Sequence, residues 1–184
     1  EISFDTMLDT IRALCMDPDI NLDKKVYHSE MSHISRNRAI AYLLESKGYI
    51  EKNKDVENSL HFYVKMCSLS VTAESLAGLG LILANDGIHP DTGKRLLSSQ
   101  AVKIVKTLMF TCGMYDGSGE FAVRVGIPSK SGVGGGILSV VDGEMGIGIF
   151  GPALDKKGNS VAGECVLEYM SHELHLHMFD PQRH

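Results

Sequence analysis

No stretch of this 184-residue chain approaches the roughly 20 apolar residues that a membrane-crossing helix needs, so a span is not expected. Basic residues are not in excess either. Eighteen Lys and Arg against 23 Asp and Glu leave a formal net charge of −5, without the positive surface on which nucleic-acid binding depends. The four cysteines, Cys15, Cys67, Cys112 and Cys165, form no CxxC pair. Their separation argues against zinc and disulfides and predicts buried free thiols in a reducing compartment. Residues 1–9 lack the basic start and apolar run of a signal peptide. There is no initiator Met, which leaves an internal cut open. Repeats, low-complexity tracts and a flexible linker are absent, and two phosphate-binding motifs also fail. A P-loop requires Gly directly before Lys, and Ser129 stands before Lys130. A dinucleotide fingerprint beginning at Gly132 meets Ile137 at its sixth position.

What remains is ordinary for a single globular domain: 43% hydrophobic and 22% charged residues. Phe4, Met7, Leu8, Ile11, Leu14 and Cys15 recur at three-and-four spacing and predict a first helix, with Ser3 or Asp5 as its cap and Pro18 beyond its end. A second helix is expected from Asn37 to Glu45, with Ala39, Ile40, Tyr42 and Leu43 as its apolar stripe. A third covers "DVENSLHFYVKMCSL", a fourth follows Thr72, and a fifth runs from Gln100 to Phe110 behind Ser98 or Ser99.

Beyond Met109 glycine becomes frequent and the apolar runs shorten. "EFAVRVGI", "GGILSVV" and "GIGIFGPAL" read as three strands, the last two joined by Asp142-Gly143 in a hairpin. Helical spacing returns in "SVAGECVLEYMSHELHLHMF". The expectation is therefore an α+β fold, with a helical region over residues 1–110 and sheet strands plus a closing helix over 111–184 of the same domain.

Three stretches carry candidate chemistry. In "SKSGVGGG", Lys130 and Ser131 precede glycines that let a substrate approach the backbone, so main-chain N–H groups can bind an oxyanion. A plain glycine-rich strand edge fits the same residues. Tyr115 lies in a glycine-flanked turn after a helix, either as a packing residue with a wet tip or as a positioned phenol that shuttles a proton. Glu30, Arg36, Asn37 and Arg38 lie near a helix start, either as solvated charges or as a set holding an ammonium and a small polar ligand. His172, His175 and His177 look metal-like, but "HELH" lacks the i,i+4 spacing of a zinc helix.

These words, in this order, resemble the serine-dependent glutaminase family, whose fold is shared with serine β-lactamases and penicillin-binding proteins. The matching words are Ser29-Glu30, "RNRAIAYLLESKGYIE", "FYVKMCSLSVTAESLAGLGLILANDGIHPDTG", "TCGMYDGSGEFAVRVGIPSKSGVGGGILSVV" and "LDKKGNSVAG". The resemblance implies hydrolysis of L-glutamine to L-glutamate and ammonia through an acyl-enzyme, with no metal or organic cofactor. It also implies a homo-oligomer and a cytoplasmic location, or a mitochondrial one in a eukaryote. Carried over, it assigns Glu30, Asn37, Tyr63 and Tyr115 to the substrate, and Tyr115 also to proton transfer. It gives the Val133 N–H to the oxyanion hole, and makes Lys130, Ser131 and Gly132 the counterpart of the β-lactamase Lys-Thr-Gly strand. One departure stands out. The family's nucleophile is the serine of Ser-x-x-Lys, and no serine here has lysine three residues later. The reading is of a C-terminal portion that begins after the nucleophile helix and is inactive alone. The rival readings are a truncated form that binds glutamine or glutamate or assembles with an intact subunit, and a penicillin-recognising relative.

Overall fold

The computed structural model describes residues 2–51 and 55–182. The chain forms two compact units. One holds the described residues up to Arg12 together with Pro18–Val71; the other holds Ala13–Asp17 and the residues from Thr72 onward.

Helix α1 (Phe4–Cys15), which belongs to the first unit as far as Arg12, begins where Ser3 Oγ accepts the Thr6 N–H at 3.1 Å. A two-residue strand β1 (Asn21–Leu22) follows and pairs antiparallel with β2 (Leu69–Ser70). Between them lie α2 (Lys24–Ser32), α3 (Ser35–Ser46) and α4 (Val56–Cys67). Helix α2 was not expected. Its signal is Asp23, whose carboxylate accepts the N–H groups of Lys25 and Val26. Ile34, Val56, Leu60 and Val64 form the core, with Tyr27, Met31 and Ala41 packed against it.

Helix α3 extends the expected span at both ends, but its stripe is rotated. Ile40, Tyr42 and Leu43 are exposed, while Ile34 and Ala41 face the core. In this orientation Arg38 donates two bonds, of 2.8 and 2.9 Å, to the Glu57 carboxylate on α4. The bidentate geometry suits only this face of α3 toward α4.

The second unit opens with α5 (Ala73–Ala84), capped as expected by Thr72, which exchanges bonds with Ser75. Helix α6 (Ser99–Cys112) follows its Ser98 cap. A 3-10 turn, Tyr115–Gly117, leads into α7 (Ser118–Arg124). The sheet is antiparallel in the order β3 (Ser129–Ser131), β4 (Gly136–Val141), β5 (Met145–Phe150), and α8 (Val161–Glu173) closes the unit. The β4–β5 hairpin turns at Asp142-Gly143 as expected, pairing Val141 with Met145.

Residues 120–127 correct the reading of a first strand there, because most of them are helical. Phe121, Val123, Val125 and Ile127 alternate, but only Phe121, Val125 and Ile127 are buried, and Val123 is 79% exposed. The four-residue step from Phe121 to Val125 fits a helix as well as a strand, and the exposed Val123 decides it. The closing helix also stops at Glu173, which leaves His172 on the helix and His175 and His177 beyond its end.

Both faces of the sheet are covered, which explains the continuous apolar run of β4. Leu138 and Val140 pack with Leu83, Val102 and Met109 of α5 and α6. Ile137, Val141 and Ile147 pack with Phe121, Leu167 and Leu176 on the other side. Helix α5 lies almost backbone to backbone on β5. A Cβ at Gly80 would sit 2.8 Å from the Gly146 Cα, and one at Gly148 would run into the Ala73 carbonyl. All four cysteines are free, but only Cys15 is buried. Cys67 and Cys112 are the last residues of α4 and α6, and Cys165 lies on α8; all three are exposed, correcting the expectation of buried thiols.

Candidate active site

The predicted site residues divide between the units. In the first, Glu30 is near the end of α2, Asn37 is in the first turn of α3, and Tyr63 is on α4 with 53% of its surface exposed. The three helices share one small core, since α4 packs against both α2 and α3. Glu30 lies within a helix, rather than in the segment leading to one.

In the second unit the predicted residues converge. Gly113 ends α6 against β3, and its carbonyl accepts the Ser131 N–H at 3.0 Å. The fit requires glycine, because a Cβ at 113 would collide with the Ser129 carbonyl. Two residues later Tyr115 takes φ 51°, the left-handed region that a bulky side chain seldom occupies. The Lys130 ammonium lies over its ring, 4.7 Å from the centroid, and also donates to the Ser131 carbonyl. After Ser131 the chain turns sharply, with Gly132 N–H bonded to the Gly136 carbonyl at 2.9 Å. That turn lifts Val133 into solvent at 65% exposure, and its N–H has no acceptor among the described residues. A donor so placed is free to meet an oxyanion.

Sequence reasoning gave no site role to the loop that completes this arrangement, although its word "LDKKGNSVAG" is among those that carry the resemblance. Residues 154–160 close on themselves: the Asp155 N–H donates to the Asn159 carbonyl at 2.8 Å, and Leu154 bridges to Ser160. The Asp155 carboxylate accepts the N–H groups of Asn159 and Lys157, each at 2.9 Å. These bonds, with the one from Asn159 contributing most, hold it below the usual carboxylate range. Gly158 passes beside Tyr115 and Val133; a Cβ there would lie 3.5 Å from the Tyr115 ring and 3.7 Å from Val133 Cγ1. Lys157 reaches Glu120 of α7 at 2.8 Å. Their hydrogen bond raises the lysine's pKa and lowers the glutamate's. Asn159 is wholly buried, its Oδ1 accepting from Ser131 Oγ at 2.6 Å and its Nδ2 donating to the Met114 carbonyl at 3.1 Å. The available signal was the turn word "DKKGN", which marks a loop without saying what the loop touches. Among the described residues, no group of three or more His, Cys, Asp or Glu is placed to hold a metal ion. No helix of the described residues is long and apolar enough to cross a membrane.

An antiparallel sheet between helices, with a Lys-Ser-Gly edge strand facing a tyrosine, defines the class. This is the β-lactamase-like fold, seen in a Bacillus subtilis probable glutaminase with a TM-score of 0.89. That protein is 38% identical, and the match covers 96% of this chain and 59% of that one. The family model for glutaminase matches residues 1–179, and the chain belongs to the glutaminase family. A Clostridium tetani glutaminase is 53% identical over 173 residues, 94% of this chain and 56% of the relative. The chain thus spans a little over half the length of the curated relatives it matches. A third match, at TM-score 0.89 and 39% identity over 95% of this chain and 61% of the other, is a Bacillus subtilis glutaminase in covalent complex with 5-oxo-L-norleucine. That complex was formed by reaction with 6-diazo-5-oxo-L-norleucine.

Proposed function

We propose that the full-length protein to which this chain belongs hydrolyses L-glutamine to L-glutamate and ammonia through a serine acyl-enzyme, as a homo-oligomer. The observation that carries this reading is the cluster in the second unit: Tyr115 under the Lys130 ammonium, beside an exposed Val133 N–H that lacks an acceptor among the described residues. Family membership and the covalent norleucine complex of the Bacillus subtilis relative support it.

The chemistry runs in two halves. A serine hydroxyl adds to the side-chain amide carbon of glutamine and gives up its proton. The carbonyl oxygen becomes an oxyanion, and the Val133 N–H donates to it. Tyr115 delivers its phenolic proton to the amide nitrogen and is restored by the proton that the serine gave up, so that the C–N bond breaks and ammonia leaves with no net change at the tyrosine. Water then adds to the acyl-enzyme ester, freeing glutamate and returning a proton to the serine oxygen. Glu30 offsets the substrate's α-ammonium, while Asn37, Tyr63 and Tyr115 hold its polar groups. Lys130, Ser131 and Gly132 form the pocket wall.

The serine belongs to a Ser-x-x-Lys segment, and this chain has no serine with lysine three residues later. The chain alone is therefore proposed to be inactive. Ammonia release from glutamine, measured for the full-length protein and for residues 1–184 alone, tests both statements. Turnover by the full-length protein only is expected; turnover by the isolated chain overturns the second statement, and none by either overturns the first. The same missing segment favours a second reading, a non-catalytic form that binds glutamate or assembles with an intact subunit. Calorimetric titration of the isolated chain with glutamate, with its mass in solution, separates the two.

A further inference from the structure

We propose that Asn159 is a positioning residue for the tyrosine of this site: its side-chain amide locks the Met114–Tyr115 peptide to the Lys-Ser-Gly strand. The proposal rests on the glutaminase reading for its catalytic consequence, but on geometry alone for the lock.

A residue the size of Tyr115 holds φ 51° only where its surroundings over-determine it. That angle depends on the orientation of the peptide joining Met114 to Tyr115, whose carbonyl takes two hydrogen bonds, while Ser118 holds the peptides on either side of it. The Met114 carbonyl accepts from Gly117 N–H at 3.0 Å and from Asn159 Nδ2 at 3.1 Å. The Met114 N–H donates to Ser118 Oγ at 3.0 Å, and that hydroxyl donates in turn to the Tyr115 carbonyl at 2.8 Å. The contacts with Gly117 and Ser118 are local and would travel with the turn wherever it moved. The Asn159 bond is the one, among the described residues, that reaches the Met114–Tyr115 peptide itself from another part of the unit; one residue earlier the Gly113 carbonyl is held by the Ser131 N–H.

The other end of the same amide defines what it is tied to. Asn159 Oδ1 accepts from Ser131 Oγ, next to the lysine that lies over the Tyr115 ring. One planar group therefore spans the tyrosine turn and the strand that ends in the Val133 turn. Its rotation is blocked, because its backbone N–H is held by Asp155 and its surface is wholly buried. Asparagine meets the chemistry uniquely well: it offers an acceptor to the hydroxyl and a donor to the carbonyl within one rigid plane. An error of an ångström in the phenol's place would lower the rate of proton transfer while leaving substrate affinity largely intact.

The full-length protein tests this with Asn159→Ala and Asn159→Asp. For Asn159→Ala, kcat is expected to fall about thirtyfold or more while KM stays within about threefold, a split that marks a loss confined to the transition state. Amide exchange over residues 113–118 should quicken about tenfold or more, and that readout needs no turnover. Asn159→Asp keeps the acceptor and loses the donor while it is ionised. A carboxyl buried against a carbonyl is favoured in its neutral form, which restores the donor, so activity relative to wild type should climb as pH falls. The titratable and charged groups on the elements around position 159 are Asp155, Lys156 and Lys157 in its own loop, Tyr115 and Asp116 in the 3-10 turn, Glu120 and Arg124 on α7, Lys130 on β3, and Glu164, Cys165, Glu168, Tyr169, His172 and Glu173 on α8. Wild type carries all of these, so the ratio isolates the new carboxyl.

A folded Asn159→Ala with kcat within about twofold of wild type, or with unchanged exchange, overturns the proposal. So does an Asn159→Asp ratio that is flat with pH. Protonated aspartic acid is isosteric with asparagine, so Asn159→Asp that remains unfolded even in acid also overturns it, in favour of a purely structural role. If wild type releases no ammonia from glutamine, the functional reading fails, and the exchange measurement still decides on Asn159.

Discussion

Tyr115 and Cys15 show how differently single side chains are disposed here. Tyr115 is 40% exposed, with a lysine over its ring and a glycine at its side, so its hydroxyl can reach a bound molecule. Replacing it with Phe in the full-length protein should lower kcat for glutamine by about 10²-fold or more, the range of a lost proton donor, as steady-state kinetics will show. Cys15 is withdrawn from chemistry altogether. Burial pushes its thiol up to about 11, and the nearby Asp17 charge adds to the effect. At pH 8 only about one Cys15 in a thousand is a thiolate. Iodoacetamide should therefore label Cys67, Cys112 and Cys165 in the native chain and Cys15 only after unfolding, with mass spectrometry locating the labels. At this scale the sequence was informative where a residue broke a pattern. Tyr115 and Lys130-Ser131 stood out against glycine, whereas Asn159 lay in a polar word that carried the resemblance without receiving a role, and a buried amide leaves no periodic trace. The Arg38–Glu57 pair escaped for a related reason: bridging two helices, it joins residues that no local spacing rule connects.

Among the elements, helix existence was legible and helix orientation was not. Caps at Thr72 and Ser98 announced α5 and α6, but the inward face of α3 depended on a partner helix. Short runs such as residues 120–127 satisfy both periodicities, and only packing separates them. The contact of α5 with β5 makes a sharp prediction at this level. Gly148→Ala places a methyl against the Ala73 carbonyl, and should destabilise the chain by about 3 kcal/mol, at the upper end for overpacking. Gly119→Ala is its control, because α7 leaves open space around that position. Removing a helical glycine there should be neutral or stabilise by up to about 1 kcal/mol. Urea unfolding midpoints compare the two.

Across the whole molecule, paired or backbone-bonded carboxylates recur. Glu57, Asp86, Glu120, Asp155 and Asp180 all have lowered pKa values, through bonds led by Arg38, Ser99, Lys157, the Asn159 N–H and the Gln182 N–H respectively. A carboxyl whose folded pKa lies below its unfolded value stabilises the fold fully above the unfolded value, near 4. That contribution disappears as pH drops through the lower folded values. Melting temperature followed from about pH 6 to about pH 2 should hold steady at first and then fall. A melting temperature that rises in acid would contradict the assignment. The α+β class was legible at this scale from the change of texture near Met109, and the two-unit division was not, because it depends on contacts between distant segments. The close seat of α5 on the hairpin has a consequence for the order of events during synthesis. Gly80, Leu83 and Ala84 of α5 are buried, yet the strands that complete their cover lie beyond α6 and α7 in the chain. An apolar helix therefore emerges early and waits uncovered for its partner, which exposes the nascent or refolding chain to self-association before its fold is complete.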